Sequence, residues 1–250
     1  MRNDRLHDEL SKLGETWRAR GSPIVSAERA LALVLLKAGT GQGGAAPIPF
    51  DRFLRRPSAE EVISRFWPEL CSPRLDLEEV TMMASGLTGI PAALRSHAGS
   101  TVPDVNGQRS LFPAPELSRH FARRISEKTK TDDPLSNAVT ALAETVLSHP
   151  YPDGNGRLGR AMMYRALGTP DLVQGPLLPL GPLFYANHRR ISGSMTHLGV
   201  SGDWEPLYRT IEALVSKAAA FSLFLLEGNL DRYGMASSLS ASTVHNSSVC

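Results

Sequence analysis

The chain has 250 residues, 42% of them apolar and 21% charged, with a formal net charge of +2. That is enough apolar chain for one sizeable core plus an appended region, and the near-balanced charge argues against a nucleic-acid binder. The longest apolar run, near residues 30–36, is too short to span a membrane, and the polar start Met1-Arg2-Asn3-Asp4 is unlike a secretory signal. Only Cys71 and Cys250 could pair, which suggests a reducing, cytoplasmic setting.

Residues 1–75 read as a helical accessory region. Leu6, Leu10, Leu13 and Trp17 recur at helical spacing, and a second helical pattern runs from Ser26 to Lys37. Residues 39–46 form a break, and Ser58 with Glu61 makes a capping box for a short helix before Pro68. The region is either an adaptor or a packing extension. Gly39-Thr40-Gly41-Gln42-Gly43-Gly44 matches GxGxxG, but Pro47 and Pro49 follow where a dinucleotide site needs a helix, so it reads as linker.

A helical pattern over 75–94 is interrupted by Gly86, Gly89 and Pro91. The polar stretch 95–111 contains Asn106-Gly107, a favoured hairpin turn, and a helix is expected over 116–127. Asp133 can cap the next helix, Pro134 suits its first turn, and Leu135, Ala138, Val139, Leu142 and Val146 mark its apolar face. A following helix ends near Gly168, and the proline-rich run 170–182 reads as loop. A long apolar helix spans 205–227, and the Ser-rich end is expected to be a disordered tail, 231–250.

Between two of these helices lies His149-Pro150-Tyr151-Pro152-Asp153-Gly154-Asn155-Gly156-Arg157-Leu158-Gly159-Arg160. The first amides of a helix lack internal partners and sit at the positive end of its dipole, so this junction suits phosphate. Gly154 and Gly156 allow close approach of a ligand to the backbone. Arg157 and Arg160 are neighbours on the helix surface and can act as a clamp. Asp153 offers a hard oxygen suited to magnesium. His149, with an ordinary pKa of about 6.5, can accept a proton near neutrality. An EF-hand starting at Asp153 fails because Leu158 and Tyr164 occupy the positions that need Gly and Glu. No P-loop or paired Cys/His zinc pattern is present in the sequence.

The stretch resembles the Fic-domain signature HPFx(D/E)GNG(K/R)xxR, departing only where Tyr151 stands for Phe. The resemblance extends over about 76–226, through the 185–190 and 202–207 segments, so the Fic domain is assigned to 76–230. It implies an all-α fold: a Fic-type helical core with a small β-hairpin flap at 95–111 and an N-terminal helical extension. It also implies Mg2+-dependent transfer of AMP from ATP to a Tyr, Thr or Ser hydroxyl of a target protein docked on the flap. In that scheme His149 is the general base and Asp153 holds the metal. Gly154, Asn155, Gly156, Arg157 and Arg160 bind the nucleotide, Asn155 on the α-phosphate and Arg160 on the outermost one. The same site is open to UMP, GMP or another phosphate-containing group, or to non-enzymatic nucleotide sensing. The location is cytoplasmic, in a host cell if the protein is a delivered effector; no nucleic acid or membrane partner is expected, and no oligomeric state is implied. Many Fic proteins are inhibited by a glutamate in (S/T)xxxE(G/N). Glu227 before Gly228 is the nearest match, but Ser222 is one residue out of register, and a plain helix end is the competing reading.

Overall fold

A computed structural model describes residues 4–20, 27–40, 63, 65–72, 74–101, 103, 107–126, 133–167 and 178–228. These contain ten α-helices: α1 Asp4–Arg20, α2 Ala27–Thr40, α3 Trp67–Cys71, α4 Leu77–Thr88, α5 Ser118–Ser126, α6 Pro134–Ser148, α7 Asn155–Leu167, α8 Leu180–Ala186, α9 His188–Ser201 and α10 Glu205–Leu226. The all-α expectation holds. No helix among the described residues is long and apolar enough to cross a membrane.

Local chemistry accounts for the helix ends around the site. Asp76 and Glu79 form a capping box on α4: the Glu79 N–H donates to Asp76 Oδ1 at 2.8 Å and the Asp76 N–H to Glu79 Oε2 at 2.7 Å. That helix stops at Gly89, which takes the left-handed conformation. Asp133 caps α6 by accepting from the Leu135 N–H at 3.0 Å, with Pro134 in the first turn. The buried face of α6 carries Leu135, Ala138, Val139 and Leu142.

Helices α6 and α7 flank the signature loop and make the most extensive pairing among the described helices. Gly159 permits it: a Cβ there would lie 2.9 Å from Leu142 Cδ1. Around this pair one apolar core gathers Leu6, Leu10 and Leu13 of α1, Leu31 of α2, Leu70 of α3, Met83 of α4 and Leu214 of α10. The N-terminal helices thus share the core of the signature helices. Polar contacts reinforce this. Ser216 donates to Glu9 Oε2 at 3.0 Å, and the buried Glu28 carboxylate accepts the Gly181 N–H at 3.2 Å.

Two local expectations are corrected. The proline-rich loop does not extend to 182, because α8 begins at Leu180. Pro182 sits in its first turn, where a missing N–H costs nothing, and the buried Leu178 and Leu180 hold the segment in the core. The break expected from residue 39 starts later, since α2 runs through Thr40. The described residues of the expected flap are mostly irregular. Among the described residues its pairing is one antiparallel bridge, Ser100 with Leu111, supported by Thr101 N–H to Ser110 O at 2.8 Å and Phe112 N–H to Gly99 O at 2.9 Å. Asn106 of the expected turn, residues 41–46, the Ser58–Glu61 box, Gly168, Cys250 and the tail 231–250 lie outside the described residues.

Candidate active site

The signature loop descends from the C-terminus of α6. His149 is the cap, with φ 46° and ψ 57°, a conformation that side-chain-bearing residues seldom adopt. Strain of this kind persists only where the surroundings impose it. Here they do so on both sides of the residue. The His149 N–H donates to Thr145 O at 3.2 Å, and its carbonyl accepts Arg95 Nε–H at 2.8 Å. The imidazole stacks on Phe112, with centroids 4.0 Å apart and planes inclined by 7°.

Nδ1 of His149 lies 3.2 Å from the Val146 carbonyl. A carbonyl can only accept, so Nδ1 carries the hydrogen and Nε2 keeps its lone pair. Burial pushes the imidazole pKa below 6.5, and the Arg95 charge pushes the same way; the bond to Val146 and the charge of Asp153 oppose them. The ring is therefore neutral near pH 7.

Tyr151 is fully buried, and its hydroxyl lies 2.9 Å from Thr81 Oγ1. Thr81 already donates to Leu77 O at 2.7 Å, so Tyr151 is the donor between them. The one departure from the signature thus has a partner on α4. Burial raises the Tyr151 pKa above 10.0, with the Thr81 bond opposing.

Asn155 closes the loop. Its Oδ1 accepts the Tyr151 N–H at 3.1 Å and its Nδ2 donates to the Tyr151 carbonyl at 2.6 Å. The side chain is buried, and both of its polar atoms bond to the Tyr151 backbone. Gly154 has φ +83°, and a Cβ on it would meet Thr88 Cγ2 at 2.5 Å, so both conformation and space require glycine.

The charged residues divide into two groups. Arg157 donates to Leu87 O at 2.5 Å and to Asp153 Oδ2 at 3.3 Å, on the α4 side of the loop. Arg160 donates to Gly156 O at 3.2 Å, and its guanidinium lies 5.6 Å from the Phe184 ring centroid. A cavity of about 410 Å³ opens beside it, lined among others by His149, Gly156, Arg160, Phe112, Phe184 and Tyr185. The cavity thus brings together His149, Gly156 and Arg160, whereas Asp153, Gly154, Asn155 and Arg157 stand outside its lining.

Among the described residues no group of three or more His, Cys, Asp or Glu side chains forms a metal site. The Asp153 side chain is 68% exposed and is a single carboxylate. That donor set fits magnesium, which commonly takes one or two carboxylates and completes its shell with substrate phosphates and water. Glu227 is the exposed C-cap of α10, followed by Gly228 at φ +77°, while Ser222 is buried.

Sequence reading missed Arg95 and the ring of Phe112. A lone arginine in a polar stretch has no distinguishing signal, and Phe112 beside Pro113 looks like an ordinary turn anchor.

Residues 76–167 match the model of the Fic/DOC family. No curated protein sequence matches the chain. Among solved structures, Fic-1 (residues 134–508) of C. elegans is 15% identical, with TM-score 0.57, over 90% of this chain and 72% of that one. A Fic-domain-containing signaling protein of Bacteroides thetaiotaomicron is 12% identical, with TM-score 0.54, over 88% and 97% of the two chains. A Fic family protein of Desulfovibrio desulfuricans is 14% identical, with TM-score 0.53, over 88% and 66%. At these identities the structural likeness is one of fold. With the family match and the signature loop set between α6 and α7, it makes this chain a carrier of a Fic domain.

Proposed function

We propose that the protein is a magnesium-dependent protein adenylyltransferase, moving AMP from ATP to a Tyr, Thr or Ser hydroxyl of a target protein. Fic proteins commonly transfer AMP or similar groups to proteins. The observation that carries the reading is the state of His149: a neutral imidazole with its hydrogen on Nδ1, in a cavity shared with Gly156 and Arg160.

In this reading Nε2 of His149 takes the proton of the target hydroxyl. The hydroxyl oxygen bonds to the α-phosphorus as the bond to pyrophosphate breaks. Negative charge grows on the pyrophosphate, and preorganised donors at the N-terminus of α7 and on Arg160 stabilise it. Arg157 joins them by leaving Asp153. Asp153 would hold magnesium, and the ion would supply further charge neutralisation when bound. Asn155 keeps the loop in shape and lends one amide hydrogen to the α-phosphate. The target backbone pairs with the flap over 95–111, where edge pairing depends little on side chains.

A second reading, transfer of a phosphate-containing group from a donor that is not a triphosphate, is favoured by one feature. Arg157 and Asp153 are bonded to each other outside the cavity, so fewer groups are committed to a triphosphate.

The test is labelling by the full chain with ATP tagged at the α- or at the γ-phosphate. Label from the α position alone is expected. Label from γ means kinase-like chemistry and overturns the proposal. No label from either ATP, with label from a phosphate-containing donor that is not a triphosphate, establishes the second reading, and label from UTP or GTP replaces ATP as the nucleotide. No self- or target labelling from any nucleotide leaves a binding module.

A further inference from the structure

Arg95 is 7% exposed, and no carboxylate pairs with it among the described residues. Its guanidinium donates once from each nitrogen, to three backbone carbonyls: Nε–H to His149 O at 2.8 Å, Nη1–H to His97 O at 2.5 Å and Nη2–H to Pro113 O at 2.6 Å. Its own N–H donates to Pro150 O at 2.8 Å, and its carbonyl accepts the Ser118 hydroxyl at 3.3 Å. One side chain therefore ties the incoming leg of the flap at His97 and the outgoing leg at Pro113 to the cap of α6. The guanidinium also lies 5.8 Å from the centroid of Phe112, the ring that stacks on the His149 imidazole.

Burying a charge is costly unless its hydrogen bonds are met, and a hydrophobic residue in such a site is often no less stable. A planar fork reaches several carbonyls at once, which a lysine ammonium on a flexible stem does not reproduce. Resting on the reading of His149 as the base, we propose that Arg95 is a positioning residue. It clamps both flap legs to the His149 carbonyl, and so presses Phe112 against the imidazole and holds that ring in one orientation. The clamp couples the segment proposed to seat the target to the group proposed to deprotonate it.

The clamp also bears on protonation. The charged or titratable groups facing the imidazole or lining its cavity are Arg95, Asp153, Arg160, Tyr185 and His188. Arg95 is the one bonded to the His149 backbone, and its charge favours the neutral ring.

The experiment is NMR of the full-length protein with labelled histidine, assigned through His149→Ala, combined with transfer kinetics. In the wild type His149 is expected as the Nδ1–H tautomer. In Arg95→Lys, which keeps the charge but loses the planar fork, the ring is expected to mix tautomers. kcat should fall on the order of a hundredfold with little change in KM for ATP, as misplacement of a catalytic group costs. A folded Arg95→Lys protein with an unchanged tautomer overturns the proposal, as does an equal loss in kcat and ATP affinity. Should Arg95→Lys fail to fold, Phe112→Leu removes the stack and leaves the buried charge. Tautomer mixing there supports the clamp, and an unchanged ring refutes it. The NMR readout needs no turnover, so it stands apart from the base assignment, which fails separately if His149→Ala retains transfer.

Discussion

Tyr151→Phe restores the residue of the Fic signature and removes one hydroxyl from a fully buried site. The hydroxyl donates to Thr81 Oγ1 at 2.9 Å, and Thr81 still donates to Leu77 O at 2.7 Å when it is gone. The variant therefore leaves no buried donor without an acceptor. Its cost is one net hydrogen bond, about 0.5–1.5 kcal/mol, without the larger penalty of an orphaned polar group. For a chain of this size each kcal/mol shifts Tm by roughly 2–4 °C, so a fall of about 1–6 °C is expected. Calorimetry and urea unfolding of Tyr151→Phe, Thr81→Val and the double variant form a cycle, with a coupling of about 0.5–1.5 kcal/mol predicted. The variant should also lose one alkaline contribution. The Tyr151 pKa is raised above 10.0 by burial, so the unfolded chain releases that proton first. Stability is then lost as pH rises from 10.0 through the folded pKa, and the Phe variant lacks this term. Zero coupling, or a loss above about 3 kcal/mol, would refute the donor assignment. Transfer activity should stay near wild type, because Tyr151 does not line the cavity.

Four further outcomes are expected. His149→Ala should abolish transfer while ATP binding, measured by calorimetry, largely survives; equal loss of both would count against the base. The acidic limb of kcat/KM should have its midpoint below 6.5, because burial and then Arg95 lower the His149 pKa and the base is lost only when the ring protonates. A midpoint above 6.5 contradicts this. Gly154→Ala combines a φ of +83° with a contact of 2.5 Å to Thr88 Cγ2. The backbone strain alone should cost about 1–3 kcal/mol in urea unfolding, and a neutral result shows that the loop adapts. Glu227→Gly should leave self-modification unchanged, since Glu227 is an exposed C-cap closed by Gly228; a several-fold rise would establish it as an inhibitory residue instead.

Much of this protein is legible in local sequence. The α6 cap, the proline at its start and its apolar stripe depend on neighbours within a few residues, as does the left-handed glycine that ends α4. The signature is also local: glycines, an amide and two arginines must follow one another at a helix start to present amides and charge to a phosphate. Tertiary structure decided what those groups touch. Asn155 reads as a phosphate ligand, yet its amide is largely spent on the Tyr151 backbone. Arg157 and Arg160, adjacent on one helix, part company because Leu87 and Asp153 hold one while Phe184 lies beneath the other. Helix α8 hid among prolines because burial of Leu178 and Leu180, rather than local propensity, keeps it in place. The clamp at Arg95 was invisible for the same reason. Its carbonyl partners belong to residues 97, 113 and 149, and backbone carbonyls are the same in every residue type. No pattern of side chains announces them until folding brings the two flap legs and the cap of α6 within reach of one guanidinium.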